Sequence, residues 1–412
     1  MKKKSKIFLN KGYINASTSV FIGGSKSESN RALILEALTG KANRIHNLSD
    51  ARDTRTMKQL LLSKDKILNV LDAGTTMRFL LAYVTVSNQN KILTGTDRMK
   101  ERPIGILVDA LREIGADIKY MESEGFPPVE ILGLPLQKSN SIKIRGDVSS
   151  QFISALLMAA PVLSKGLHLE LTGTIGSRPY IQMTLDLMSE FGLKHHWKEN
   201  SIHVPHQRIE PVEITIEPDW SGASYWYSFV ALSMDSDLEI FIPGLLKNSM
   251  QGDSIISKIS EPLGVITEFN HKGILLKKGP SATRVEIDFS NCPDLAQTVA
   301  VICAGKNING IFTGLRSLRI KETDRIKALQ NELSKINASL NQKKEDVYDL
   351  IPSTKMPEKA TIRTYEDHRM AMAFAPLSML TNIEIEDPEV INKSYPTFWN
   401  QVQKAGVECV LG

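Results

Sequence analysis

The chain has 412 residues, 50 basic against 46 acidic side chains for a net charge of +4, and a mean hydropathy of −0.15. So mild a balance gives no ground for a nucleic-acid partner. The longest apolar run, 153–163, is broken by Ser154 and Pro161 and falls well short of the roughly 20 residues that cross a bilayer. The three cysteines, Cys292, Cys303 and Cys409, form no C-x-x-C pair and point to a reducing, cytoplasmic setting. The basic start at 1–4 has the charge of a signal peptide but no adequate apolar stretch after it.

Taken in chain order, the first informative stretch is Gly24-Ser25-Lys26-Ser27-Glu28-Ser29-Asn30-Arg31, running into apolar residues 32–35. A small-residue loop opening a helix leaves backbone N–H groups and the positive dipole end beside Lys26 and Arg31, which suits a phosphate or carboxylate. Their spacing of five places the lysine in the loop and the arginine in the first turn. The plainer alternative is a serine-capped helix with two surface cations. It is not a Walker loop, whose G-x-x-x-x-G-K-[ST] spacing is absent. Asp72-Ala73-Gly74-Thr75-Thr76-Met77-Arg78 is a second such entry, and 97–104 carries Arg98, Lys100 and Arg102 ahead of a helix that Pro103 can start. Ser149, Ser150 and Gln151 precede an apolar helix, and Ser177-Arg178-Pro179-Tyr180 opens another, with capping as the competing account of the serines.

In the second half, Asp294 stands at a helix start, where the dipole favours an ionised carboxylate. Arg319-Ile320-Lys321-Glu322-Thr323-Asp324-Arg325 packs charge densely, and the like-signed Lys321 and Arg325 at i,i+4 want an anion between them. Glu366-Asp367-His368-Arg369 leads into an apolar helix, and Lys393-Ser394-Tyr395-Pro396 follows near the end. Cys292, close to Asp294, is read as packing because nothing in the sequence lowers its pKa.

One pattern recurs along the whole chain: an amphipathic helix, then glycine, then a short β-type segment. Gly115, Gly192, Gly264 and Gly406 mark it, with Asn337 in a weaker copy, at spacings of 77, 72, 73 and 69 residues. A degenerate copy lies near 57–62. Six units of about 70 residues mixing helices and short strands predict an α/β or α+β fold built by repetition. No G-x-G-x-x-G supports a dinucleotide fold.

These segments together resemble the 5-enolpyruvylshikimate-3-phosphate synthase family (3-phosphoshikimate 1-carboxyvinyltransferases). Residues 24–31, 73–78, 98–104, 148–161, 179–188, 248–253, 293–296, 321–325, 367–373 and 393–396 match in order, and Lys-Glu-Thr-Asp-Arg with Asp-His-Arg-Met-Ala is highly specific. The resemblance implies two similar lobes, each of three βαβαββ repeats in an inside-out α/β barrel, with the active site in the inter-lobe cleft. Residues 18–217 are expected to form one lobe, and 1–17 with 218–412 the other.

It further implies transfer of the enolpyruvyl group of phosphoenolpyruvate to the 5-hydroxyl of shikimate 3-phosphate, by addition and elimination, with no metal or organic cofactor and no partner but the small-molecule substrates; the chain is expected to be a monomer. By motif position, Lys26, Ser27, Arg31, Ser149, Ser150, Gln151, Ser177, Tyr180, Asp294, Ser317 and Lys321 are expected to hold shikimate 3-phosphate. Lys26, Gly74, Arg102, Gln151, Arg325, His368, Arg369 and Lys393 are expected around phosphoenolpyruvate. The resemblance implies that Asp294 accepts the hydroxyl proton, that Glu322 serves the methylene carbon and that Lys26 assists near the bridging oxygen. Glu322 is expected to be ionised until anionic substrates arrive and raise its pKa.

Three departures from the family pattern stand out: Gly23 for proline, Asp72 for asparagine, and Ser317 for asparagine. Gly74 leaves room for glyphosate, which competes with phosphoenolpyruvate in this family, so sensitivity is expected. The related transferase acting on UDP-N-acetylglucosamine is disfavoured, because Lys26 is followed by Ser27 and Arg31 where that family has a Lys-Asn pair, and no cysteine lies in the first 291 residues.

Overall fold

The helix-ending residues of the repeat all adopt the left-handed conformation. Gly115, Gly192, Gly264, Asn337 and Gly406 have φ of 114°, 72°, 88°, 60° and 117° in the computed structural model, which describes residues 5–41 and 44–412. The basic start at 1–4 lies outside the described residues. At each position the same two bonds close the helix, as where Gly115 N–H donates to Arg112 and Ala116 N–H to Leu111. Gly406 to Gln403 and Val407 to Val402 repeat the arrangement some 290 residues later. This is the Schellman closure, which needs a residue that tolerates positive φ.

Behind the shared turn lies a shared sheet. In each full copy the chain runs strand, helix, strand, helix, hairpin, and the strands pair in the order first, second, fourth, third. Ile67–Asn69 lies parallel to Lys91–Thr94, which is antiparallel to Val129–Gly133, itself antiparallel to Asp117–Tyr120. The last copy takes Lys6–Leu9 from the start of the chain as its fourth strand, against Asn382–Glu386 and Cys409–Leu411. Among the described residues, five copies have all four strands, and the sixth keeps of its strands only the parallel pair Arg44–His46 and Glu213–Thr215. Its second helix, Arg52–Leu62, is the degenerate copy near 57–62. That helix ends at Ser63 in extended conformation, with ψ 134°, so the chain runs on into the next repeat without a hairpin.

The chain divides into two compact units, one of residues up to Gly23 with Glu217–Gly412, the other of Gly24–Ile216. The first boundary falls later than residue 18 because Thr18–Ser19 pairs with Ile240 and Phe241 and so belongs to the former unit. Each unit has its own apolar core. The first helix of each copy is buried nearly all round, as in Trp220–Leu232, Ala296–Gly305 and His368–Phe374 in one unit and Gly74–Val86 and Ser150–Ala159 in the other. Second helices such as Arg52–Leu62 and Gly105–Glu113 bury one face. A helix apolar on every side belongs inside, where each large aliphatic side chain contributes roughly 1.5–3 kcal/mol. Among the described residues, no helix is long and apolar enough to cross a membrane.

Candidate active site

In the unit of residues 24–216, the charged and hydroxyl residues gather at helix starts. Ser25 caps Lys26–Thr39 by accepting from Glu28 N–H at 3.4 Å, so the helix begins at Lys26 itself. Lys26 is therefore its first residue and Arg31 lies in its second turn, one turn further in than the spacing argument placed them. The side chain of Lys26 reaches back to Asp53, Nζ to Oδ2 at 3.4 Å. Arg31 is buried and well connected. Its Nε donates to Thr184 Oγ1 at 2.7 Å, Nη1 to the Ser27 carbonyl at 2.9 Å, and Nη2 to Ser154 Oγ at 3.2 Å and the Tyr180 carbonyl at 3.3 Å. Burial lowers its pKa to about 10, against the opposing fields of Tyr180 and Glu28.

Gly74 opens its helix directly under Arg102: a Cβ there would stand 2.7 Å from Arg102 Nη1. Arg102 is buried and donates to the Asp72 carbonyl at 3.5 Å. Gln151 Nε2 donates to Thr75 Oγ1 at 3.0 Å, so the second and third helix starts touch. The capping account of the serines fails at two places. Ser149 and Ser177 occupy N-cap positions, yet neither side chain makes a capping bond, and Ser177 sits at φ 50°. A non-glycine residue held left-handed at a helix entrance is an outlier of the kind that clusters at working sites. Asp72, the residue that departs from the family pattern, accepts from Arg52 Nη2 at 2.6 Å.

In the other unit the acids and bases form one network. Asp294 lies on the short turn Pro293–Leu295 before Ala296–Gly305. Its Oδ1 accepts from Arg325 Nη1 at 2.9 Å and its Oδ2 from Arg369 Nη2 at 2.6 Å. Arg325 also binds Glu322 Oε2 through Nη2 at 2.9 Å and Asp367 Oδ2 through Nε at 2.6 Å. Lys393, buried, lies 3.7 Å from Glu322 Oε1. His368 Nδ1 lies 3.7 Å from Asp367 Oδ1. Asp367 caps its own helix through the Arg369 N–H, and Asp324 caps Arg325–Ser334 through the Lys327 N–H. Ser317 lies half-buried on the turn Arg316–Ile320, one turn ahead of Lys321. Burial alone would raise the pKa of Asp294, but Arg369, Lys321 and Arg325 overcome it and hold the carboxyl well below the usual range. Arg325, in turn, is kept charged against burial by Asp367, Glu322 and Asp294. Burial pushes the Cys292 thiol up to about 12, which keeps it protonated.

Sequence reasoning missed several members of this machinery. Asp53 pairs Lys26, Tyr225 Oη lies 3.4 Å from Arg369 Nη1, and Ser154 and Thr184 position Arg31. Asp253, buried beside Ser221, accepts that residue's hydroxyl and is pushed up to about 6 by burial first and by Asp294 second. Each lies remote in sequence from the group it serves.

The family model for EPSP synthase (3-phosphoshikimate 1-carboxyvinyltransferase) matches residues 12–63 and 58–402. A 3-phosphoshikimate 1-carboxyvinyltransferase of Bacteroides fragilis (strain YCH46) is 47% identical over 399 residues, covering 96% of each chain. The one of Vibrio cholerae serotype O1 (strain M66-2) is 36% identical over 415 residues, 93% of this chain and 96% of that one. A solved EPSP synthase from Acinetobacter baumannii shares the fold at a TM-score of 0.80 and 19% identity, covering 99% of this chain and 100% of that one. With its six-copy architecture and its motifs on helix starts, the chain belongs to the EPSP synthase (3-phosphoshikimate 1-carboxyvinyltransferase) family.

Proposed function

We infer that this chain transfers the enolpyruvyl group of phosphoenolpyruvate to the 5-hydroxyl of shikimate 3-phosphate and releases phosphate. The observation that carries the reading is the Asp294–Arg325–Glu322 network: two carboxylates a proton-transfer mechanism needs, held by one guanidinium. We assign Lys26, Ser27, Arg31, Ser149, Ser150, Gln151, Ser177, Tyr180, Asp294, Ser317 and Lys321 to shikimate 3-phosphate. Lys26, Gly74, Arg102, Gln151, Arg325, His368, Arg369 and Lys393 take phosphoenolpyruvate.

Addition forms a bond between the 5-oxygen and the enol carbon, and that carbon turns electrophilic only as the methylene is protonated. Glu322 supplies that proton and Asp294 takes the one from the hydroxyl. Elimination then removes a methyl proton to Glu322 and expels phosphate, with Lys26 donating at the bridging oxygen. Without substrate, Asp294 is a weak base because Arg369, Lys321 and Arg325 stabilise its charge. Phosphate and carboxylate oxygens of the substrates compete for those cations, guanidinium forks being well matched to them. Drawing Arg369 and Arg325 toward substrate raises the basicity of Asp294 at the moment it is needed.

A cytoplasmic, monomeric enzyme fits the chain, with three free thiols and a separate core in each unit. Phosphate release should be lost by about 10²–10⁴-fold in Asp294→Ala and Glu322→Gln, the usual range for a general acid or base. Full activity in both variants removes the assignment.

A further inference from the structure

Asp72 binds two arginines through different oxygens. Its side-chain Oδ1 accepts from Arg52 Nη2 at 2.6 Å, and its carbonyl oxygen accepts from Arg102 Nη1 at 3.5 Å. Arg102 in turn lies against Gly74, two residues after Asp72. Arg52 begins the helix Arg52–Leu62, and the next residue, Asp53, is the partner of Lys26. One helix start therefore governs both Lys26 and the Asp72–Gly74 turn. The Nε of Arg52 is buried and finds no hydrogen-bond partner among the described residues, so this guanidinium is oriented by the single contact of its Nη2 with Asp72.

A carboxylate immediately before Ala73-Gly74 has an electrostatic consequence. Phosphoenolpyruvate carries several negative charges, and a full negative charge within a few ångströms of its binding residues opposes it unless a cation offsets the carboxylate. Arg52 is that cation. Ordinary surface pairs contribute little to stability, but here the charge acts on a multiply charged ligand rather than on the fold.

We propose that Arg52 is a positioning residue for phosphoenolpyruvate: it neutralises Asp72 and steadies the turn that presents Gly74 and Arg102, without itself touching substrate. The proposal rests on the assignment of Gly74 and Arg102 to phosphoenolpyruvate made above. It makes Arg52 and Asp72 a coupled pair whose joint replacement costs less than removal of the arginine alone.

The test is steady-state phosphate release by the full chain as wild type, Arg52→Ala, Arg52→Lys, Asp72→Asn and the Arg52→Ala/Asp72→Asn double variant, at low and high salt. Arg52→Ala should raise KM for phosphoenolpyruvate about three- to ten-fold, with kcat and KM for shikimate 3-phosphate nearly unchanged. Asp72→Asn and the double variant should stay within about two-fold of wild type, Arg52→Lys should recover most of the loss, and the Arg52→Ala defect should shrink in high salt. An unshifted KM in Arg52→Ala, or a double variant as impaired as that single one, overturns the proposal, as does an equal rise in both KM values. A wild-type chain that releases no phosphate overturns the functional reading first and this inference with it; an active wild type with any of those outcomes overturns the inference alone.

Discussion

Gly74 is where one missing methyl group has the largest chemical consequence. Its Cα lies under the guanidinium of Arg102, and an added Cβ would approach three atoms of that group at 2.7–2.8 Å, nearer than van der Waals contact allows. The far end of an arginine can move, so the fold survives while the cation is displaced. Gly74→Ala should therefore raise the inhibition constant of glyphosate by about ten-fold or more and raise KM for phosphoenolpyruvate less, with thermal stability nearly unchanged. An inhibition assay in which the variant gains no resistance contradicts this.

Asp253 supplies a pH-dependent prediction. Its folded pKa of about 6 lies above the ordinary 3.8, so between those values the folded chain holds a proton that the unfolded chain has lost. Stability falls as pH rises through that window, and the penalty persists above it. Asp253→Asn should be more stable than wild type by about 1–3 kcal/mol above pH 6. The gain should vanish below about pH 4, as read by denaturant melts across pH. A gain that grows on acidification contradicts the assignment.

At this scale the sequence made the ionic residues and their motifs visible, but not their partners. Lys26 was plain from its helix entry, whereas Asp53, the lone acid of the helix Arg52–Leu62, gave no local sign of its partner. Capping statistics did not separate Ser25, which caps, from Ser149 and Ser177, which do not; only backbone geometry does.

Among elements, the left-handed residue after the second helix of each full copy, glycine at four positions and Asn337 at the fifth, is the device that turns the chain into the next strand. The five positions have the same two hydrogen bonds but different surroundings, which separates two costs. At Gly192 nothing lies within 4 Å of an added Cβ, so Gly192→Ala bears only the strain of φ 72°, about 1 kcal/mol. At Gly115 the Cβ would fall 2.2 Å from the Leu136 carbonyl oxygen, and backbone must shift. Gly115→Ala should cost clearly more, about 2–4 kcal/mol in urea denaturation. Equal losses at the two sites contradict this reading.

The period of roughly 70 residues was legible because the left-handed requirement leaves glycine or asparagine at a fixed place in every full copy. The reduced sixth copy was legible only as a blurred one. The sequence near 57–62 lacks that glycine, and nothing local reveals that its parallel strand pair joins residues 44–46 to 213–215, nearly 170 positions apart. The same is true of Lys6–Leu9, recruited from the start of the chain into the sheet of the last copy.

Over the whole molecule, each unit repeats one plan and differs in what its buried helices present at their starts. Residues 24–216 offer Lys26, Gly74, Ser149 and Ser150, suited to receiving anions; the other unit offers Asp294, a carboxylate suited to taking a proton, with Asp367 and the fixed cation Arg369 beside the same network. Where the chain enters that second unit, Glu217 fixes the passage. It accepts from Trp220 Nε1 at 2.7 Å, Leu246 N–H at 2.8 Å, Gln251 Nε2 at 3.2 Å and the Ser249 hydroxyl. Gln251 Nε2 also donates to the Pro218 carbonyl at 2.8 Å, so the same loop that carries Asp253 holds the crossing segment. The central claim is the substrate pair, and the most direct measurement is inorganic phosphate released from phosphoenolpyruvate by the purified chain, with shikimate 3-phosphate or with UDP-N-acetylglucosamine as acceptor. Release with shikimate 3-phosphate alone, abolished when either substrate is omitted, is the predicted result; release only with the nucleotide sugar, or none with shikimate 3-phosphate, contradicts the account.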